Sequence, residues 1–186
     1  MTYAFDQWIE LDSFENYRNW KTPRGFLYGT YASSVLLAYW YDKIDPRCLP
    51  QNSRKKDDPK SEQIVEQLQR WVQPIDLPTV SLQLTLGLNH FFRYYKIPYR
   101  ARQTLVGSWQ RVTKRILNGE PVMIGLMYLR GSTYKNHWFV VHGFMETANG
   151  ERFYKVHDNW GNNEAIIPAK WGNGTISLVF QNETAY

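Results

Sequence analysis

Gly29-Thr30-Tyr31-Ala32-Ser33-Ser34-Val35-Leu36-Leu37-Ala38-Tyr39-Trp40-Tyr41 carries no charge along its whole length. Ala32, Val35, Leu36, Tyr39 and Trp40 recur at helical spacing, and the remaining positions are nearly all apolar or small. A helix with no polar face has nothing to offer water, so residues 29–41 are expected to form a central, buried helix. Ser33 and Ser34, more than a turn inside it, read as small residues that permit close packing.

Working outward, the next segments keep the helical period. Residues 61–72 place Ile64, Val65, Leu68 and Trp71 on one face, with Ser61 as the expected N-cap. Residues 79–96 read as a third helix carrying Leu82, Leu86, Phe91 and Tyr94, with Gly87 as an internal weak point. Residues 108–117 read as a fourth, capped by Ser108 and stopped at Asn118-Gly119. Between the first two helices, residues 45–60 are rich in Pro, Lys, Arg and Asp and read as an exposed loop within one domain.

Beyond residue 120 the period changes. Strands are expected over 121–127, 137–145, 152–158, 164–169 and 175–180, with Asn149-Gly150 marking a hairpin between the second and third. Helices first and consecutive antiparallel strands afterwards give an α+β order over a single domain, residues 1–186.

Composition narrows the functional classes. The chain has 186 residues, a net charge of +5 and one cysteine, Cys48, so no intrachain disulfide can form. Aromatic residues make up 16%, read first as an aromatic core and otherwise as an aromatic-lined cleft. The basic groups, Arg54-Lys55-Lys56, Arg93 to Arg102 and Arg111 to Arg115, do not alternate with aromatics as a nucleic-acid surface would. They read as a solvated, mildly basic surface, with an acidic partner as the alternative. No metal-ligand spacing joins the histidines, and no cofactor is implied. No segment approaches a membrane span, and residues 1–6 lack the pattern of a signal peptide. With Met1 as the natural start, the protein is expected in the cytoplasm.

Chemistry concentrates on the hairpin. His137-Trp138-Phe139-Val140-Val141-His142-Gly143 opens one strand with a histidine. Tyr154-Lys155-Val156-His157-Asp158-Asn159-Trp160-Gly161 ends its neighbour with an aspartate. Strand side chains alternate faces, so an even loop puts His137 and Asp158 on one side. A four-residue loop over 146–149 sets them opposite each other within hydrogen-bond reach, whereas a two-residue Asn149-Gly150 turn leaves them four residues out of step. A carboxylate on the imidazole would fix its tautomer and support its cation. His90 lies apart, and His142 and His157 have the wrong parity to join His137.

Taken with the run 29–40, these motifs resemble the bacteriocin-processing, double-glycine leader peptidase family and its single-domain bacterial relatives, within the papain-like superfamily. The helix of that family opens Cys-Gly-Pro and ends in an apolar Leu-Ala-Tyr. Gly119-Glu120-Pro121-Val122-Met123-Ile124-Gly125-Leu126 resembles its Gly-x-Pro-Val strand, and His137-Trp138 and Asp158-Asn159-Trp160-Gly161 resemble its His and Asp motifs. The resemblance spans residues 26–161 and implies a papain-like fold: N-terminal helices, one of them central and buried, packed on a C-terminal antiparallel sheet.

The departure from that pattern is chemical. Where the family has its cysteine, this chain has Tyr28, followed by Gly29 and Thr30. The family's oxyanion glutamine is replaced by Lys21, Thr22, Pro23 and Arg24, and there is no Gln between Gln7 and Gln51. A degenerate domain with Tyr before the Gly occurs in some haemolysin-exporting transporters, where it resembles a docking site for unfolded substrate. The resemblance therefore implies a pseudo-peptidase that holds a peptide or unfolded protein segment in the old cleft. Tyr28, Gly29, His137, Trp138, Asp158, Asn159 and Trp160 would be its site residues, with Tyr28 filling the cleft and hydrogen-bonded to His137. The alternative is a hydrolase or acyltransferase using Tyr28 or Cys48 with His137 and Asp158.

Overall fold

A computed structural model describes residues 3–23, 27–60, 62–75 and 77–181. Four helices, α1 (Tyr28–Tyr39), α2 (Glu62–Val72), α3 (Ser81–Tyr94) and α4 (Ser108–Leu117), accompany seven strands. The strands are β1 (Ile9–Glu10), β2 (Tyr99–Thr104), β3 (Val122–Leu126), β4 (His137–Glu146), β5 (Arg152–His157), β6 (Ala165–Pro168) and β7 (Gly172–Phe180). All pair antiparallel in the order β2-β7-β3-β4-β5-β6, and β1 extends the β3 edge of β4. This is the expected α+β architecture. No helix among the described residues is long and apolar enough to cross a membrane.

Helix α1 lies at the centre. Every residue from Gly29 to Tyr39 is buried, as an uncharged helix requires. Ser33 and Ser34 return their hydroxyls to the carbonyls of Gly29 and Thr30, as hydroxyls inside a buried helix do. The helix then widens into a π turn over Trp40–Ile44, which turns Asp42 inward.

That aspartate corrects the reading of residues 45–60 as a plain exposed loop. Arg54 reaches back to bind Asp42 through two bonds of 2.9 and 2.6 Å, and Tyr17 donates to the same carboxylate at 2.8 Å. Both ion-pair partners are buried, and the guanidinium lies over the Trp20 ring. Cys48 and Leu49 are buried as well.

Helix α3 also departs from expectation. It begins at Ser81 rather than Thr79 and buries Leu84, Leu88, Phe91 and Phe92. Leu82, Leu86 and Tyr94, expected inside, are exposed. The helix is apolar on two sides, and the 84-88-91 stripe won. Gly87 is a necessity here. A Cβ on it would stand 2.7 Å from Val72 Cα and closer still to the Trp71 carbonyl oxygen, so its bareness lets α3 lie against the end of α2.

Two strands escaped the sequence reading. β1 is two residues long, and β2 (Tyr-Arg-Ala-Arg-Gln-Thr) is an edge strand whose arginines obscure its alternation. The N-cap of α4 is Gly107 at φ 72°, with Ser108 as the first helical residue. Ser61, expected to cap α2, lies outside the described residues.

Removing one partner of the buried ion pair tests this account of the helical half. Arg54→Met leaves Asp42 charged and buried, and should cost about 3–5 kcal/mol of unfolding free energy in urea titration. A loss below about 1 kcal/mol would mean that solvent reaches the carboxylate.

Candidate functional site

Tyr28 is the first residue of α1, at the positive end of the helix field. Gly29 behind it has no room for a side chain, since a Cβ would press on Leu84 Cδ2 at 2.7 Å. Gly29 therefore seats the helix start against α3 and stays out of the cleft. Thr30 donates to Gln73 Oε1 at 2.9 Å, and Gln73 Nε2 donates to the Leu77 carbonyl. These bonds carry the chain from α2 into residues 78–81, which face β4 across a cleft. Trp138 Nε1 bridges that cleft to the Thr79 carbonyl at 3.1 Å.

The cleft has a volume of about 770 Å³. Tyr28, His137, Trp138 and Trp160 line it, as expected, together with Tyr134 and Lys135. Among the described residues, Lys135 is its one cationic side chain and no carboxylate lines it.

His137 opens β4 and is buried. Its Nε2–H donates to the backbone carbonyl of Asp158 at 2.9 Å. The expected geometry, a carboxylate on the imidazole, is therefore corrected: the partner is the main chain. Asp158 Oδ1 instead accepts from the N–H groups of Trp160 at 2.8 Å and Asn162 at 3.0 Å. The carboxylate thus holds the turn, and the turn presents the carbonyl.

The register explains why. The hairpin loop spans the five residues 147–151, because Glu146 pairs with Arg152. An odd loop would put Asp158 on the wrong face, but a bulge between Val141 and Gly143 shifts the register by one and restores the parity. His142 sits at that bulge.

Asn159 does not line the cleft. It adopts a left-handed φ of 59°, donates from Nδ2 to the Trp138 carbonyl at 2.7 Å, and accepts on its own carbonyl from Thr22 N–H. It fastens the turn to β4 and to residues 21–23, where the family's glutamine would stand. Lys21 packs over Gly161 there, whose φ of +104° excludes a side chain.

With Nε2 committed as a donor, Nδ1 of His137 is an acceptor. It is buried and has no hydrogen-bond partner. Tyr28 lies on the imidazole with ring centroids 4.1 Å apart, Trp160 at 4.6 Å, and Tyr134 against Trp160 at 5.3 Å. Tyr28 covers the histidine by ring contact, without the expected hydrogen bond. Tyr134 was missed in the sequence, and its place three residues before His137 was the available signal.

Burial under these rings pushes the His137 pKa down to about 4, against the raising effect of the Asp158 carbonyl. Burial lowers His142 to about 4 and His157 in the same direction. Cys48 is remote from this chemistry. It is fully buried, its Sγ donates to the Leu37 carbonyl, and burial followed by the Asp45 charge pushes its pKa well up. Leu37 is nine positions along α1 from Tyr28, about 14 Å of helix rise.

No protein-family model matches the chain, and no curated protein matches it in sequence. Solved structures do. A structure from Bacillus anthracis described as a C39-like peptidase superposes with a TM-score of 0.54 at 12% identity, over 96% of this chain and 100% of that one. Bromelain from Ananas comosus in complex with the E64 inhibitor gives a TM-score of 0.47 at 8% identity, over 94% of this chain and 99% of that one. The fold is the papain-like one that the sequence motifs implied.

The buried imidazoles make stability depend on pH with a definite sign. His137 and His142 titrate near 4 folded and near 6.5 unfolded. Between those values the unfolded chain binds protons that the folded chain refuses, so stability falls as pH drops from 6.5 towards 4 and levels off below. Urea titrations should show a loss of about 1.4 kcal/mol per pH unit for each histidine. Unchanged stability across that window would show that the imidazoles protonate in place.

Proposed function

We propose that this protein binds an extended peptide or unfolded protein segment in the cleft beside Tyr28 and does not cut it. The observation that carries this reading is the ring of Tyr28 lying on His137 at the first position of the central helix. A thiol there would be ionised by the helix field and the imidazole. A phenol is a bulkier and weaker nucleophile, and here it covers the base. The only thiol of the chain is buried elsewhere.

What remains is a recognition surface. Tyr28, Tyr134, Trp138 and Trp160 offer rigid aromatic area at small entropic cost, and Trp160 is 48% exposed. The cleft of about 770 Å³ lies between residues 78–81 and β4. Lys135, unopposed by any lining carboxylate, favours a segment carrying a negative charge.

The second reading, an ester or amide hydrolase with Tyr28 as nucleophile, draws on one observation. The free Nδ1 of His137 sits beside Tyr28 in the tautomer that accepts a proton. It requires turnover of an activated ester that disappears in His137→Ala. A Cys48 version has no support in the geometry.

Two measurements test the binding reading. Trp160→Ala should weaken an unfolded-peptide ligand found by isothermal titration at least about tenfold, as loss of a central aromatic contact does. Affinity unchanged in that variant would remove the ligand from the cleft. Separately, Tyr28→Cys should create a thiol that iodoacetamide alkylates well below the ordinary cysteine pKa of about 8.5, while Cys48 of the native chain stays unlabelled until unfolding. A thiol that titrates like a free cysteine would mean that neither the helix nor His137 acts at position 28.

A further inference from the structure

His137 carries an atom that the folded chain leaves unused. The imidazole is 3% exposed, and its Nε2–H is committed to the Asp158 carbonyl. Its Nδ1 is shut off from solvent and has no hydrogen-bond partner. The two nitrogens of an imidazole point in diverging directions. With Nε2 turned to the end of β5, Nδ1 turns away from it, towards the Tyr28 ring at the start of α1. His137 lines the cleft, so the unused atom belongs to the cleft wall, where a buried polar atom calls for a partner.

Two kinds of ligand group would complete it: a donor to the neutral ring, or an anion paired with the protonated ring. The surrounding charges choose the second. Helix α1 is twelve residues long and begins at Tyr28, with no side-chain cap from Leu27, so the positive end of its field falls here. Lys135 adds a full positive charge, and no carboxylate among the described residues lines the cleft. A cationic donor is repelled by both, a neutral donor gains from neither, and an anion is attracted by both. In a peptide that anion is a carboxylate, at the chain terminus or on Asp or Glu.

The groups facing the ring leave this place open to it. Tyr28 from α1, Tyr134 from the segment before β4, Phe139 from β4 and Trp160 from the turn after β5 surround the imidazole as rings. Asp158 is the acid whose charge reaches His137, and its Oδ1 is engaged by the N–H groups of Trp160 and Asn162.

We propose that the peptide segment in this cleft presents a carboxylate to His137 at the start of α1, and that its binding moves a proton from solvent onto Nδ1. The proposal rests on the peptide-binding reading. In the free protein the ring is neutral at neutral pH, because burial pushes its pKa down to about 4. The carboxylate supplies a negative partner for the imidazolium. Nδ1–H then donates to it while Nε2–H keeps its bond to Asp158, and both nitrogens are satisfied. Tyr28 is half-buried, and its ring turns aside to admit the carboxylate. Each bound segment takes up a proton, so affinity rises as pH falls, by about tenfold per pH unit at the steepest.

The probes are three N-acetylated tetrapeptides: Ala-Leu-Phe-Ala as the free acid, the same peptide as its C-terminal amide, and that amide with Asp in place of the first Ala. Isothermal titration at about pH 5.5, between the ordinary carboxyl and imidazole values, in two buffers of different ionisation heat reads affinity and proton uptake together. At least one charged peptide should bind about tenfold or more tighter than the uncharged amide, with uptake of about half a proton or more. Which of the two does so tells a chain terminus from a side chain. Lys135→Gln should weaken the charged peptides several-fold and leave the uptake unchanged. His137→Gln, whose amide can still donate to the Asp158 carbonyl, should abolish the uptake. Equal affinity for all three peptides, or tighter binding of the charged ones without uptake, overturns the proposal and leaves the peptide reading standing. If none of the three binds, sodium benzoate followed by imidazole nitrogen NMR separates the two ideas. A His137 pKa raised by benzoate supports the carboxylate seat and overturns the peptide reading alone, whereas an unmoved His137 overturns both.

Discussion

Three imidazoles hold the turn that makes the site. Each donates from Nε2 to a backbone carbonyl: His137 to Asp158, His142 to Asn163, and His157 to Tyr17. The first two grip both ends of residues 158–163, and the third ties the end of β5 to the N-terminal segment. All three are buried, so all three are held neutral, and a neutral imidazole with one fixed donor is a directional clamp rather than a charge. The bulge at His142 belongs to the same device, since without its register shift Asp158 would face away from His137.

How much of this the sequence discloses depends on which force decides each element. The central helix was legible because an uncharged run of thirteen residues has one physical outcome. The hairpin, the α+β order, and the meeting of Tyr28, His137, Trp138 and Trp160 were legible because side-chain periodicity and motif order carry them. The partner of His137 was not, because choosing between carboxylate and carbonyl depends on a loop length and a bulge that no local pattern encodes. The buried Arg54–Asp42 pair was hidden for a similar reason. In sequence Arg54 heads a basic run, and only the π turn at Trp40–Ile44 shows that Asp42 points inward to meet it. β2 was lost to its arginines, which mark an exposed edge and mask a strand.

The segment between β3 and β4 forms walls of the cleft and of a second cavity, at the start of α4. Met127 and residues 133–136 face the cleft, while Arg130, on the short 3-10 turn Tyr128–Arg130, faces the second cavity. Gly131, at φ +88°, makes the bend between them. Residues 172–174 repeat the pattern from the opposite side, with Gly172 in one cavity and Asn173 and Gly174 in the other. The two cavities therefore share backbone.

Charge decides how the cleft differs from a working thiol site. A cysteine peptidase runs on a thiolate beside an imidazolium, and each ion sustains the other in a setting that would neutralise either alone. Here the base has its donor bond and its place at the helix start, but its neighbour is an aromatic ring. Burial outweighs the raising effects of the Asp158 carbonyl and charge on His137, and its pKa falls to about 4. The same three rings that desolvate it, Tyr28, Tyr134 and Trp160, also line the groove. Replacing one sulfur by a phenol ring therefore changes two properties together: it removes the charge that would hold the imidazole protonated, and it adds apolar area where a peptide would lie. On the proposed reading, that pair of changes suits a cleft that holds a chain rather than cuts it.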